Sequence, residues 1–192
     1  MPNTGRKLNS KDLLVMLLYL PGVRDLEGEP ISGKTRLMKM VFLFEKELYK
    51  KFRFDKQIST SDLPQFSGYD YGPFTSQIYE DIEFLRGLQY LDSKPEEDEQ
   101  EAADEVKAYF DWGASVQREE AREYQAEKFF LTDRGKRFAR ERLMPRLTQN
   151  QVEALKRFKQ ACTKATLRQI LKYVYTKYPK YGEKSKIKDQ FI

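Results

Sequence analysis

The sequence predicts a mainly helical α+β fold with a small β hairpin. The first observation is that apolar residues form one face at helical spacing in each of two segments: Leu37, Val41, Phe44 and Leu48, then Ile78, Ile82 and Leu85. The second is a pair of short apolar and aromatic runs, 89–93 and 123–131, which have the length of strands. The third is the length of 192 residues, which suits one domain with a helical extension.

The first two helices are predicted from apolar runs with a clear start or stop. Residues 10–20 form a short buried helix, with Ser10 as the candidate N-cap and Pro21 as part of its stop signal. The second helix extends over about residues 32–51, where the apolar face repeats at steps of four and three. The following segment, 52–72, has no period and contains proline and glycine, so it is predicted to be a loop.

The third helix is predicted over about residues 73–88, because Pro73 suits a first helical position. The two strands follow it, and the segment between them is far longer than a usual hairpin loop. Three further helices are predicted in the C-terminal part: one capped by Thr132 or Asp133, one over residues 149–161, and one over residues 164–178.

The order of these elements is the layout of a winged-helix domain. Three helices come first, and two strands around an insert would form the wing hairpin, which puts the third helix in the recognition position. We expect residues 1–146 to form this domain and residues 147–192 to form a helical extension packed on it. The acidic insert, about residues 94–118, is either a solvated helix opening at Pro95 or a mobile loop.

Composition excludes several classes of site. The chain has no histidine, which excludes histidine triads, histidine general bases and histidine metal ligands. Its single cysteine, Cys162, leaves no internal disulfide, argues against structural zinc and fits a cytoplasmic protein. We therefore expect no metal and no cofactor. The longest apolar run, residues 13–20, is too short to cross a bilayer, so no membrane partner is expected.

Charge is distributed unevenly along the chain. Residues 1–91 carry 13 Lys and Arg against 12 Asp and Glu, residues 92–133 carry 5 against 14, and residues 134–192 carry 17 against 4. The basic C-terminal third indicates a polyanion or an acidic partner, unless its cations only solvate helix faces. The acidic middle segment would bind a basic partner or mimic DNA.

The segment 28–35, GEPISGKT, matches the phosphate-binding loop of nucleotide hydrolases as a pattern. Its surroundings do not fit, because a charged lead-in replaces the required apolar strand and Pro30 removes one backbone N–H group. No later apolar strand ends in a carboxylate for Mg²⁺. The alternative is a helix start near Gly33, where Lys34, Arg36 and free N–H groups form an anion site for one DNA phosphate.

Polar and cationic residues are the candidates for contact with duplex DNA. The third helix opens with residues that suit base edges: Thr75, Ser76 and Gln77. Three acids that DNA phosphates would repel follow: Glu80, Asp81 and Glu83. The candidates for backbone phosphates are cations on the second helix, on the wing and after it: Lys34, Arg36, Lys39, Lys128, Arg134, Lys136, Arg137 and Arg140. Such contacts give non-specific, salt-dependent affinity.

Four segments carry a family resemblance: ISGKTRLMKMVFLFEKEL, YDYGPFTSQIYEDIEFLRGLQYL, FFLTDRGKRFA and YVYTKYPKYGEKSKI. They resemble the YwgA-like group of small bacterial and archaeal proteins and, more distantly, the SocA-like (Panacea) antitoxin domain. The most specific parts are YGPF at a helix start and a pattern in the helix before it: Leu37, Lys39, Phe42 and Leu43. The resemblance covers roughly residues 8–92 and 123–188. It implies a winged-helix-like domain in regulation, toxin–antitoxin pairs or phage and plasmid conflict.

Three functions stay open at this point. The first is a winged-helix regulator that binds duplex DNA largely through backbone phosphates. The second is an antitoxin- or adaptor-type module that binds a toxin or a protease substrate through its acidic insert and third helix. The third is a nucleotide binder, which rests on GEPISGKT alone. The apolar face of the last helix would either form a homodimer or pack within the monomer: Leu167, Ile170, Leu171 and Val174.

Overall fold

In the computed structural model, the described residues are 6–69, 72–112 and 124–181. The helices are α1 (Ser10–Tyr19), α2 (Lys34–Leu43), α3 (Gln77–Gly87), α4 (Glu99–Trp112), α5 (Asp133–Phe138), α6 (Gln149–Lys164) and α7 (Leu167–Lys177). The strands are β1 (Ile31–Ser32), β2 (Ser67–Tyr69), β3 (Gly72–Phe74), β4 (Leu91–Pro95) and β5 (Glu127–Leu131). The prediction of a mainly helical fold with a small antiparallel β component is confirmed. None of the described helices is long and apolar enough to span a membrane.

The main sheet has three antiparallel strands in the order β1-β5-β4. The predicted hairpin is present, with Leu91 of β4 opposite Leu131 and Pro95 opposite Glu127. β1 adds to the other edge of β5, where Ile31 lies opposite Phe129. The prediction did not contain β1, because two residues are too few to show a strand period.

The predicted start of the third helix is wrong. Pro73 lies in β3, opposite Gly68 of β2, and α3 begins only at Gln77. The segment 52–72 is also more ordered than the predicted loop, because it contains β2 and two short 3₁₀ turns. A second strand pair therefore separates α2 from α3, which makes the connection unlike a short helix-turn-helix turn.

The structure identifies the N-cap residues of two helices for which the sequence offered candidates. At α1 the cap is Asn9 rather than Ser10: the Asn9 side chain accepts from the N–H of Asp12, and the Asp12 side chain accepts from the N–H of Asn9. At α5 the cap is Thr132, the first of the two predicted candidates, since its hydroxyl accepts from the N–H of Gly135 at 3.1 Å. The helix of α5 continues through a wider turn over residues 139–143.

The acidic insert contains a helix, as one of the two predicted alternatives has it. This helix, α4, begins at Glu99 rather than at Pro95, which is the last residue of β4. Residues 113–118 of the predicted insert lie outside the described residues. The insert is thus attached to the end of β4 by three acidic residues, Glu96, Glu97 and Asp98, and carries further acids on α4.

The C-terminal helices α6 and α7 share one hydrophobic core with α1 and α2. The apolar face predicted for the last helix is buried within the monomer: Leu167, Ile170, Leu171 and Val174. This burial removes that face as a homodimer surface. Lys159 of α6 enters the same region and donates to the carbonyls of Leu18, Leu20 and Glu29 at the end of α1 and beyond it.

Candidate functional site

The N-terminus of α2 is occupied by a carboxylate of the chain itself. Glu105 of α4 accepts hydrogen bonds from the backbone N–H of Thr35 at 3.0 Å and from the Thr35 hydroxyl at 3.1 Å. The hydroxyl of Tyr124 donates to the same oxygen at 2.9 Å. Gly33 precedes the helix with φ 82°, and a side chain there would overlap Glu105. The anion site predicted for a DNA phosphate is therefore filled from within.

Arg36 joins α2 to α4 and to the turn between α6 and α7. Its guanidinium donates to Glu101 at 2.5 Å and to the carbonyls of Cys162 and Ala165 at 2.5 Å and 2.6 Å. Glu101 also accepts from the N–H of Leu167 at 3.3 Å. Because the Arg36 side chain is buried and used in these contacts, the structure does not present it to a DNA phosphate.

Lys39 is buried as well, with no exposed surface, so it does not lie where DNA could reach it. Its ammonium donates to the carbonyl of Pro73 at 2.8 Å, which ties α2 to β3. Burial lowers the pKa of Lys39 to about 7, and the charge of Glu105 opposes this shift. Burial also raises the pKa of the Glu105 carboxyl, against the hydrogen bonds from Thr35 and Tyr124.

The two remaining cations of this region form ion pairs with nearby acids. Lys34 lies 3.8 Å from Glu127 of β5, and Lys128 lies 2.8 Å from Glu96 at the start of the insert. Both side chains keep only a minor exposed fraction. The sequence predicts both cations as DNA contacts, and the structure instead places each beside a carboxylate.

The GEPISGKT segment does not have the shape of a phosphate loop. Between Gly28 and Gly33 the chain runs into β1, which pairs with β5 and extends the main sheet. A phosphate loop instead wraps its backbone N–H groups around the phosphates and follows a buried strand. With Glu105 at the helix start, the geometry gives the nucleotide hypothesis no support.

The side chains at the start of α3 are not arranged to contact DNA bases. Thr75 is buried, Ser76 is exposed, and the amide of Gln77 donates to the hydroxyl of Ser10 at 3.4 Å. Of the three acids that follow, Asp81 is turned inward, where it pairs with Lys11 at 2.8 Å. The three predicted base-reading residues are thus not presented together.

The outer face of α3 combines exposed apolar residues with acids. Phe84 is 52% exposed and Leu88, just after the helix, is 37% exposed. Glu80 and Glu83 are exposed on the same helix. Arg86, its one cation, donates to Glu83 and to Glu127. We call Glu80, Glu83, Phe84 and Leu88 the α3 face; it is apolar and acidic, with the ammonium of Lys11 5.1 Å from the centre of the Phe84 ring.

The predicted basic stripe lies on α5 and the turn after it. Arg134 and Arg137 are exposed, and the Arg134 guanidinium lies 5.2 Å from the centre of the Tyr90 ring. Arg140 pairs with Glu27 at 2.7 Å. The Lys136 side chain lies against Gly28. Only part of this stripe is therefore free to meet a polyanion.

Lys34, Arg36 and Lys39 all lie on α2, but they are not grouped on one open surface. Lys34 contacts Glu127 of β5, Arg36 contacts Glu101 of α4, and Lys39 contacts the Pro73 carbonyl of β3. The residues that sequence reasoning missed are the acids that cover them, Glu101 and Glu105. Their spacing of four along a helix was a usable signal, since it puts both carboxylates on one face. The donors to these carboxylates, Thr35 and Arg36, lie about seventy residues earlier in the chain, and nothing in the sequence indicated the pairing.

Comparison with known proteins finds no relative: no family model, no curated protein and no solved structure matches the chain. The functional conclusion therefore rests on the chain's own residues.

Proposed function

We propose that the chain is a winged-helix-like protein-binding module whose α3 face contacts a basic, amphipathic segment of a partner protein. The resemblance to YwgA-like and SocA-like proteins, which implies a toxin or a protease substrate as that partner, stays a prediction. The observation that carries the proposal is the exposure of Phe84 and Leu88 beside the carboxylates of Glu80 and Glu83.

The topology supports the winged-helix part of the proposal. Helices α1, α2 and α3 come first, β1 lies between α1 and α2, and the β4–β5 hairpin follows α3 with β5 central. On this proposal α3 would correspond to the recognition helix, with the β2–β3 strand pair inserted between it and α2. The exposed side chains of α3 then determine which class of partner the helix can bind.

A duplex is a poor partner for this face. Carboxylates near DNA phosphates are repelled, and Arg86, the one cation of α3, is held by Glu83 and Glu127. A protein segment with lysines or arginines would pair with Glu80 and Glu83 and would cover Phe84 and Leu88 with apolar side chains. Such a helix face with an aromatic centre and a charged rim is the anatomy of a protein interface.

Affinity purification tests this proposal in cells that natively make the protein. The Phe84→Arg/Leu88→Arg double variant should lose a partner that wild type retains, by a factor of about ten or more, since it removes the apolar anchors and adds repulsion to a basic partner. The recovered partner should then bind the purified protein in calorimetry.

The matched control is Val23→Arg/Leu26→Arg, which makes the same change at two other exposed apolar residues. It should retain the partner. Recovery of the same proteins by wild type and the α3 double variant would contradict the proposal, provided that circular dichroism shows both variants folded.

Duplex DNA binding is the second candidate, and one observation favours it: Arg134 and Arg137 are exposed three residues apart on α5. These residues would add non-specific phosphate contacts from the base of the wing. In a fluorescence titration, Arg134→Ala/Arg137→Ala should weaken binding and reduce its salt dependence. A wild-type dissociation constant weaker than about 10⁻⁴ M at low salt would contradict this candidate.

A further inference from the structure

The exposed side of α7 carries cations and no acid. Residues 154–181 contain eight Lys and Arg and neither Asp nor Glu. The exposed residues of α7 lie three or four positions apart, so they share one side of the helix, opposite its buried apolar side. We call these outward residues, with the exposed lysine just after the helix, the α7 face: Arg168, Lys172, Tyr173, Lys177 and Lys180. This face shares no residue with the α3 face, so it can be tested separately from the proposed function.

The acids that contact this face are less exposed than its cations. Asp104 of α4 pairs with Arg168 at 3.3 Å, and Glu47 pairs with Lys177 at 2.9 Å. In both pairs the cation is the outer partner, since its side chain is 58% exposed against 11% in the first pair and 47% against 26% in the second. Glu101, which accepts from the first N–H of α7, is itself ion-paired with an arginine of α2. The surface that α7 presents outward is therefore positive.

Two further cations of the α7 face, Lys172 and Lys180, form no ion pair with any described residue. Four cations against the two paired acids give the face a net positive charge, which favours a polyanion as its partner. A membrane surface fits less well, because the apolar side of α7 is buried in the core and Tyr173 is the only large apolar residue of Leu167–Lys177 that is exposed. Helices that bind a membrane surface instead present an apolar side to the lipid.

Tyr173 lies in the middle of the α7 face, and 43% of the residue is exposed. Its hydroxyl donates to Glu47 at 2.8 Å, and the ammonium of Lys177 lies 5.0 Å from the centre of its ring. These contacts hold the ring among the cations. Exposed aromatic rings beside cations are the surfaces on which single-stranded nucleic acids stack their bases. The bases of a duplex are stacked on one another and would not reach the ring.

We propose that the α7 face binds a single-stranded nucleic acid. The cations contact neighbouring phosphates of the backbone, and one base stacks on the ring of Tyr173. Arg168 and Lys177 are about 14 Å apart along the helix axis, so the face contacts a stretch of a few nucleotides. Binding of this kind is salt-dependent and tolerant of sequence, because phosphates and the faces of bases are common to all strands.

Fluorescence anisotropy with labelled oligothymidine and oligouridine of about twelve nucleotides tests the proposal on the full chain, at salt concentrations from about 50 to 200 mM. At least one of the two strands should bind with a dissociation constant tighter than about 10⁻⁴ M at the lowest salt, and their comparison distinguishes DNA from RNA as the preferred strand. Lys172→Ala/Lys180→Ala should weaken binding by about tenfold or more at that salt, and should make the slope of log affinity against log salt shallower by about 1.4, the effect of two lost phosphate contacts. Lys156→Ala/Arg157→Ala is the matched control, because it removes two cations from α6, and it should bind as wild type does.

Tyr173 separates the binding of a strand from the binding of any polyanion. Tyr173→Ala should weaken oligonucleotide binding by about fivefold or more, whereas Tyr173→Phe keeps the ring and should bind as wild type does. Neither change should affect the binding of inorganic polyphosphate, which has no bases. Arg134→Ala/Arg137→Ala should also leave single-strand binding unchanged, which distinguishes the α7 face from the duplex candidate on α5.

Three results would overturn the proposal. The first is a wild-type dissociation constant weaker than about 10⁻⁴ M for both strands at the lowest salt. The second is an equal loss of binding in the α7 and α6 double variants, which would mean that only net charge matters. The third is unchanged strand binding by Tyr173→Ala, together with tighter binding of a duplex or of phosphatidylglycerol vesicles, which would assign the face to that partner instead.

Discussion

Glu105 of the acidic insert accepts a hydrogen bond from the backbone N–H of Thr35 at 3.0 Å, in the first turn of α2. A helix N-terminus favours a negative charge, and here the chain supplies that charge from a helix seventy residues later. The acidic insert is thereby part of the folded domain, since Glu105 and Glu101 hold it on α2. Deleting the whole insert would remove these contacts together with any partner-binding role.

Replacing Glu105 should destabilise the protein more than replacing an exposed acid of the insert. Glu105→Ala leaves the N–H and hydroxyl of Thr35 and the hydroxyl of Tyr124 without their acceptor, which should lower the free energy of unfolding by about 3 kcal/mol. Glu105→Gln keeps an acceptor oxygen and should cost less. Urea denaturation measures both, with Glu97→Ala expected within about 0.5 kcal/mol of wild type. Equal effects of Glu105→Ala and Glu97→Ala would refute the contact.

Gly33 should not tolerate a side chain. Its φ of 82° is unfavourable for other residues, and a Cβ atom would overlap Glu105. We expect Gly33→Ala to lower the melting temperature through a loss of about 2–3 kcal/mol. Gly87→Ala is the control, because nothing lies within 4 Å of a Cβ atom at the end of α3, and it should be neutral or slightly stabilising. A Gly33→Ala variant as stable as wild type would show that Glu105 does not lie there.

The buried lysine of α2 should make stability depend on pH. Because the folded pKa of Lys39 is about 7, below its usual value, the unfolded chain binds more protons from pH 7 upward. The free energy of unfolding should therefore rise with pH between 7 and 9, by at most about 1.4 kcal/mol per pH unit for this residue. Lys159, whose pKa burial also lowers to about 7, acts in the same direction.

The variant Lys39→Met isolates the part that belongs to Lys39. In urea unfolding at pH 7, 8 and 9, the free energy of unfolding of this variant should rise less steeply with pH than that of wild type. The part of the rise that remains should come from Lys159. Parallel pH profiles for the two proteins would mean that Lys39 stays charged in the folded state.

The sequence predicted most helices because their apolar faces repeat, as at Leu37 and Val41 of α2. It placed Pro73 wrongly, since proline suits both a first helical turn and a short strand, and the pairing of Pro73 with Gly68 decides between them. The sequence did not predict β1 because Ile31–Ser32 is a strand only through its pairing with β5, which lies far away in the chain.

The candidate site was harder to predict than the fold. Arg36 and Lys39 look like surface cations in the sequence, because periodicity gives no measure of how much a distant segment covers a helix. Their burial follows from long-range contacts with Glu101, Cys162 and Pro73. Of the three acids of α3, Glu80 and Glu83 are exposed and would repel DNA phosphates, whereas Asp81 is buried.

The acidic insert is docked on α2, where Arg36 and Lys39 are buried and so are kept from a DNA surface. A double-mutant cycle between Arg36 and Glu101 measures this docking most directly, using Arg36→Met, Glu101→Gln and the double variant in urea unfolding. The 2.5 Å ion pair predicts a coupling free energy of at least about 1.5 kcal/mol. A coupling below about 0.3 kcal/mol would contradict the claim.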